Sequence, residues 1–146
     1  MNEYLRHIHE VDLIADWCDK ELTRINDEDW YAIGNILVQQ KINDTKFAIA
    51  YGKEIEIDGM KGFLLAAYPN YWCRNLLREK GEYQFYIGYH INHKYQTARC
   101  SIRELDYITN VREIAAIWGG GGHTSASGFQ LTLPEFYEKF LLTKLE

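Results

Sequence analysis

Apolar residues at Leu5, Ile8, Val11, Ile14, Ala15 and Cys18 recur at helical spacing, which predicts a helix over residues 4–22. Asn26 followed by Asp27, Glu28 and Asp29 reads as an N-cap with an acidic first turn. Trp30, Ile33 and Leu37 carry that helix on towards Gly52, a natural stop, with Asn43-Asp44-Thr45 as a point where it can bend. The period then changes to two. Ile55 and Ile57, the Asp58-Gly59 turn and the apolar run 62–68 predict a β-hairpin. Pro69-Asn70 opens a short helix through Trp72, Leu76 and Leu77, closed by Gly81. Tyr83, Phe85, Ile87, Tyr89 and Ile91 alternate as a half-buried strand. Asn92-His93 predicts a two-residue turn into a second strand over 94–103, with Ala98, Cys100 and Ile102 on the core face. Asn110 and Glu113 form a candidate capping box ahead of Val111, Ile114, Ala115 and Trp118. After four glycines and His123 come a strand through Phe129, Leu131 and Leu133 and a helix from Pro134.

These elements predict a mixed α/β fold: a mixed sheet of about five strands with flanking helices, preceded by N-terminal helices. A helical segment, 1–52, is expected to pack on the 53–146 region as one globular domain. With 146 residues, 47% of them hydrophobic, the chain has enough apolar surface for a core. No run approaches the roughly 18 apolar residues of a membrane span. The first residues lack a basic-then-apolar leader, which predicts a cytoplasmic protein without a membrane partner. Cys18, Cys73 and Cys100 fit neither a disulfide framework nor a metal knuckle.

The net charge of -5 excludes a general polyanion binder and long duplex DNA as a partner. Its distribution is uneven. Residues 1–30 hold nine acids and three bases, whereas 74–112 hold seven bases and four acids. An anion site therefore belongs in the second half.

Gly119-Gly120-Gly121-Gly122 is longer than a helix cap needs. Its physical use is close approach of backbone to a ligand, with successive N–H groups forming a nest for an anion and His123 donating beside them. A flexible loop with a surface histidine is the plain alternative for a glycine run by itself. On the strand 94–103, the face opposite the core carries Tyr95, Thr97, Arg99, Ser101 and Arg103. A two-residue turn would set Tyr86 opposite Arg99 and Gln84 opposite Ser101. Arginine is the side chain best shaped to hold phosphate through two parallel bonds. An ordinary solvated sheet face is the plain alternative here.

Ser101-Ile102-Arg103, the segment 110–115, Trp118 with the Gly-Gly-Gly-Gly-His loop, and Ala126-Ser127-Gly128-Phe129 together resemble the DHH-associated domain. This is the C-terminal substrate-binding domain of the DHH phosphoesterase family. The likeness is strong over 98–130 and weaker but continuous upstream. It implies an α/β domain gripping a nucleotide or short oligonucleotide, with Arg103, Gly119, Gly120, Gly121, Gly122 and His123 as contacts and Ser101 in support. Arg99 and Tyr86 join the candidates from the strand pattern, Tyr86 towards a sugar or base.

Hydrolysis in that family occurs at manganese ions held by an N-terminal domain. This sequence has no Asp-His-His and no Asp-x-Asp cluster, so no catalytic or metal residue and no cofactor is expected. His7, His9, Glu10, Asp12 and Asp16 are the nearest substitutes, and a solvent-facing helix accounts for them. The leading reading is non-catalytic binding, in one version sequestration, of a nucleotide, a cyclic nucleotide signal or a short oligonucleotide. The runner-up is the substrate-binding subunit or fragment of a manganese-dependent enzyme of exonuclease or oligoribonuclease type, whose catalytic chain is separate. A third reading has no ligand and serves homo-oligomer assembly.

Overall fold

The computed structural model describes residues 27–142. The helix expected over 4–22, the Asn26 cap, Cys18 and the substitutes between His7 and Asp16 lie outside the described residues. The chain divides into two compact units, Met1–Gln40 and Lys41–Glu146.

Helix α1 is Asp27–Ala50 and runs unbroken through Asn43-Asp44-Thr45. The helix does not break there; Thr45 is buried and its hydroxyl donates to the Lys41 carbonyl at 2.8 Å, one turn back. In the first unit Trp30, Ile33, Ile36 and Leu37 of α1 are exposed.

The second unit is built on a six-stranded sheet in the order β1-β2-β3-β4-β6-β5. Strands β1 (Lys53–Ile57) and β2 (Met60–Leu65) form the expected hairpin. Asp58 and Gly59 both take positive φ, as a primed turn requires. Helix α2 (Tyr71–Lys80) starts on Asn70, whose side chain accepts from the Cys73 N–H, and stops at Gly81 in the left-handed region. It carries the chain across to β3 (Phe85–Asn92), which lies parallel to β2, the sheet's one parallel pairing. Strand β4 (Thr97–Glu104) returns antiparallel, then come α3 (Val111–Ala116), β5 (Gly121–Gly122) and β6 (Ala126–Thr132). Helix α4 (Leu133–Phe136) has a Thr132–Glu135 capping box and continues as a π-helical turn to Leu141.

Four local expectations change. The sixth strand is β5, two glycines with no alternation to reveal it. Asn92 pairs with Thr97, so the β3–β4 connection has four residues, with Gln96 at positive φ, and Tyr86 faces Arg103 rather than Arg99. The shift is an even number of residues, so every side chain keeps its predicted face. Leu133 opens α4 rather than closing β6, because Thr132 caps the helix there. Asn110 caps α3 by accepting from the Arg112 N–H, a simple N-cap without the reciprocal Glu113 bond.

Helices cover both faces of the sheet unequally. On one face, α3 and the α4 segment close over Phe85, Ile87, Ala98, Cys100, Ile102, Phe129 and Leu131. Trp118 stacks on Phe129 at 4.7 Å between ring centroids. On the other face, α2 and the end of α1 cover Phe63, Leu65 and Tyr86 with Cys73, Leu77 and Ala48. This second cluster ends at β3. Beyond it, the outer face of β4, β6 and β5 carries Arg99, Ser101, Arg103, Gly128 and Gln130 in place of apolar residues. No described helix is long and apolar enough to cross a membrane.

Candidate functional site

The uncovered face forms a cavity of about 690 Å³. Its floor follows from strand register. Ser101 pairs with Gly128, and Gly128 pairs with Gly121, so three adjacent strands present one hydroxyl and two bare backbones in a row. Arg99 and Gln130 bound the row on one side, Arg103 and Ala126 on the other. Backbone and serine can approach a ligand closely while two guanidinium groups supply charge.

Arg103 is fixed by backbone carbonyls of its own strand and of β6. Its Nη1 donates to the Ile102 carbonyl at 2.9 Å and the Ser127 carbonyl at 3.4 Å. Arg103 also lines a second cavity of about 350 Å³ with Pro69, Tyr71, Arg74, Tyr86 and Ala126. Burial pushes the Tyr86 phenol up to about 12, although Arg103, Arg74 and Arg78 pull it the other way. Tyr86 is almost fully buried.

The four glycines divide their work. The Gly119 N–H donates to the Ala116 carbonyl and the Gly120 N–H to the Ala115 carbonyl, the paired bonds of a Schellman cap with Gly119 in the left-handed region. A Cβ on Gly120 would lie 2.2 Å from the Gly128 carbonyl oxygen, so this glycine lets the loop cross β6. The expected nest of four consecutive N–H groups does not form: Gly121 exchanges ladder bonds with Gly128, and Gly121 and Gly122 line the cavity. His123 and Ala126 exchange both backbone bonds at the tip of the β5–β6 hairpin, which directs the Gly122 N–H away from β6. The His123 ring is exposed there and outside the residues lining the cavity. Its carbonyl accepts from the Ser127 hydroxyl at 2.7 Å, which braces the hairpin.

No protein-family model matches this chain, and no curated protein does. Its fold is similar to a pGpG-specific phosphodiesterase, PggH of Vibrio cholerae, with a TM-score of 0.52 at 18% identity, over 68% of this chain and 36% of that one. An uncharacterized protein of Helicobacter pylori G27 aligns with a TM-score of 0.46 at 24% identity, over 72% of this chain and 30% of that one. The chain thus spans about a third of the length of these proteins. The likeness to PggH is one of fold.

Of the residues singled out in the sequence, Arg99, Ser101, Arg103, Gly121 and Gly122 come together in the large cavity. Gly119 and Gly120 serve the end of α3 and the crossing of β6, and Tyr86 belongs to the smaller cavity. Gly128 and Gln130 were missed. The alternation against Phe129 and Leu131 was the available signal, since it places both on the face of Arg99 and Arg103. Tyr71 and Arg74, which line the second cavity from α2, had no sequence signal. Among the described residues no three His, Cys, Asp or Glu side chains gather as metal ligands.

Proposed function

We propose that this chain binds a nucleotide or short oligonucleotide in the Arg99–Arg103 cavity and does not hydrolyse it by itself. The observation that carries this reading is the floor of Ser101, Gly128 and Gly121 between two arginines. Such a surface suits a phosphodiester: the Ser101 hydroxyl and two guanidiniums donate, and the bare glycine backbones let it approach closely. The Ser-x-Arg strand and glycine loop resemble the substrate-binding domain of the DHH phosphoesterases, and the fold neighbour PggH acts on pGpG. The sequence lacks the Asp-His-His signature of the hydrolytic half.

Sequestration is the version of this reading for a chain acting alone. The second version is the substrate-binding part of a manganese-dependent phosphoesterase. It draws on the chain's span of 36% of PggH. Calorimetry with a panel of mononucleotides, cyclic nucleotides and dinucleotides, with and without manganese, tests the common part. Binding that Arg103→Ala removes supports it, and no binding by any probe overturns it. Chromatography and mass spectrometry of the recovered probe then divide the versions. Intact probe is expected; chelator-sensitive cleavage that survives repurification would refute the non-catalytic reading.

A further inference from the structure

The arginine face continues past the cavity onto β3. His90 of β3 pairs with Arg99 of β4, which pairs with Gln130 of β6, so one cross-strand row carries an imidazole, a guanidinium and an amide. Tyr68 lies on this row. Its ring centroid is 4.6 Å from that of His90, and its hydroxyl is 3.2 Å from His90 Nε2. The Tyr68 side chain is nevertheless 63% exposed, which leaves ring surface open beyond the imidazole contact.

The backbone around Tyr68 is held in place. A Cβ on Gly88 would lie 2.2 Å from the Ala67 carbonyl oxygen and 3.1 Å from Pro69 Cδ, so the segment 67–69 crosses β3 as a strap directly over Gly88. The Tyr68 carbonyl accepts from Asn70 Nδ2 at 3.4 Å and from the Cys73 thiol at 3.9 Å. The strap separates two similar corners. On one flank an exposed Tyr71 shares the smaller cavity with Arg103. On the other, an exposed Tyr68 stands on His90 beside Arg99. The rows of Arg99 and Arg103 are four residues apart, about 13–14 Å along the strand, too far for one base to rest at both.

We propose that Tyr68, with His90 and Arg99, forms a second base-stacking subsite, so that the face takes an oligonucleotide of at least two residues. One base lies at the Tyr71–Arg103 corner, the second on Tyr68, and the sugar–phosphate link crosses Ser101 and Gly128. This rests on the phosphate-binding reading of Arg103 and the glycine floor. An aromatic platform beside a cation is how single strands are held without sequence readout, with stacking energies that correspond to about fivefold to a hundredfold in affinity per base.

The experiment compares a 5′-phosphorylated dinucleotide, pGpG or pApA, with GMP or AMP on the wild type, Tyr68→Ala, Tyr68→Phe and Arg103→Ala. The wild type is expected to bind the dinucleotide at least tenfold tighter than the mononucleotide. Tyr68→Ala should weaken the dinucleotide about tenfold and leave the mononucleotide within about twofold, and Tyr68→Phe should retain most of the dinucleotide affinity. The exposed position allows the fold to survive both changes, which thermal unfolding checks. Equal effects of Tyr68→Ala on both probes, or none, overturn the second subsite while leaving the function reading intact. Binding of neither probe to the wild type, or binding indifferent to Arg103→Ala, overturns both.

Discussion

Two pairs of arginines lie on or against β4 and have opposite fates. Arg74 and Arg78 reach back from α2 to one carboxylate, Glu104, at 3.0 and 3.7 Å. Arg74 also donates to the Glu104 carbonyl, and Arg78 to the Leu105 carbonyl and the Tyr107 hydroxyl, with its guanidinium 4.0 Å over the Tyr107 ring. Glu104 itself accepts from the Tyr107 N–H at 2.6 Å. Arg99 and Arg103, on the same strand as Glu104, have no ion pair with a described carboxylate, and Arg103 is bound to backbone carbonyls alone. One pair is an internal clip that ties α2 to the sheet. The other keeps its charge available to an external anion. Residue type and local basicity do not separate them; the position of one glutamate does.

The largest expected effect falls on the clip. Glu104→Ala leaves two arginines facing an empty site and removes the Tyr107 bond. It should cost about 2–4 kcal/mol in urea unfolding, at or below the range for breaking fully buried pairs because both arginine side chains are partly exposed. A loss below about 1 kcal/mol would mean that the clip contributes no more than a surface pair. Arg103→Ala tests the open pair. Ligand affinity should fall by about 1.5–3 kcal/mol, the scale of a hydrogen bond to a charged group. Unfolding free energy should change by less than about 1 kcal/mol, and a reversal of those two numbers would place Arg103 with the clip.

A smaller effect links the two pairs through Tyr86. Burial raises its phenol from 10.0 to about 12 in the fold, while arginines of both pairs lower it. A raised folded value favours the protonated form. The resulting stability is fully present below pH 10 and is lost as pH rises from 10 towards 12, by roughly 2–3 kcal/mol. Removing Arg103 should move the Tyr86 titration further up, measurable by absorbance of the ionised phenol. No movement would mean that Arg103 stands too far off to act on it. The smallest effect belongs to Gly121→Ala. A Cβ there meets nothing within 4 Å, so stability should change by no more than about 0.5 kcal/mol. The methyl group would stand on the cavity floor, so calorimetry should show a weaker phosphate ligand in a fold of unchanged melting temperature.

Hydrophobic period and caps in the chain itself determined the mixed α/β class, the β1–β2 and β3–β4 hairpins, and the starts of α2 and α3. These are signals between residues close in sequence. The face assignment of Ser101 and Arg103 survived a mistaken register because alternation along a strand does not depend on the partner's offset. Tertiary structure alone decided which arginines are free, since Glu104 meets Arg74 and Arg78 across some thirty residues of chain. It also decided that Gly119 and Gly120 serve the end of α3 while Gly121 and Gly122 pair with β6. A run of identical residues holds no local difference to assign those tasks. The placement of His123 outside the cavity lining has the same origin. Its neighbours in sequence put it beside the glycines, but the pairing of His123 with Ala126 sets it at the hairpin tip, where backbone hydrogen bonds and the Ser127 hydroxyl fix the turn.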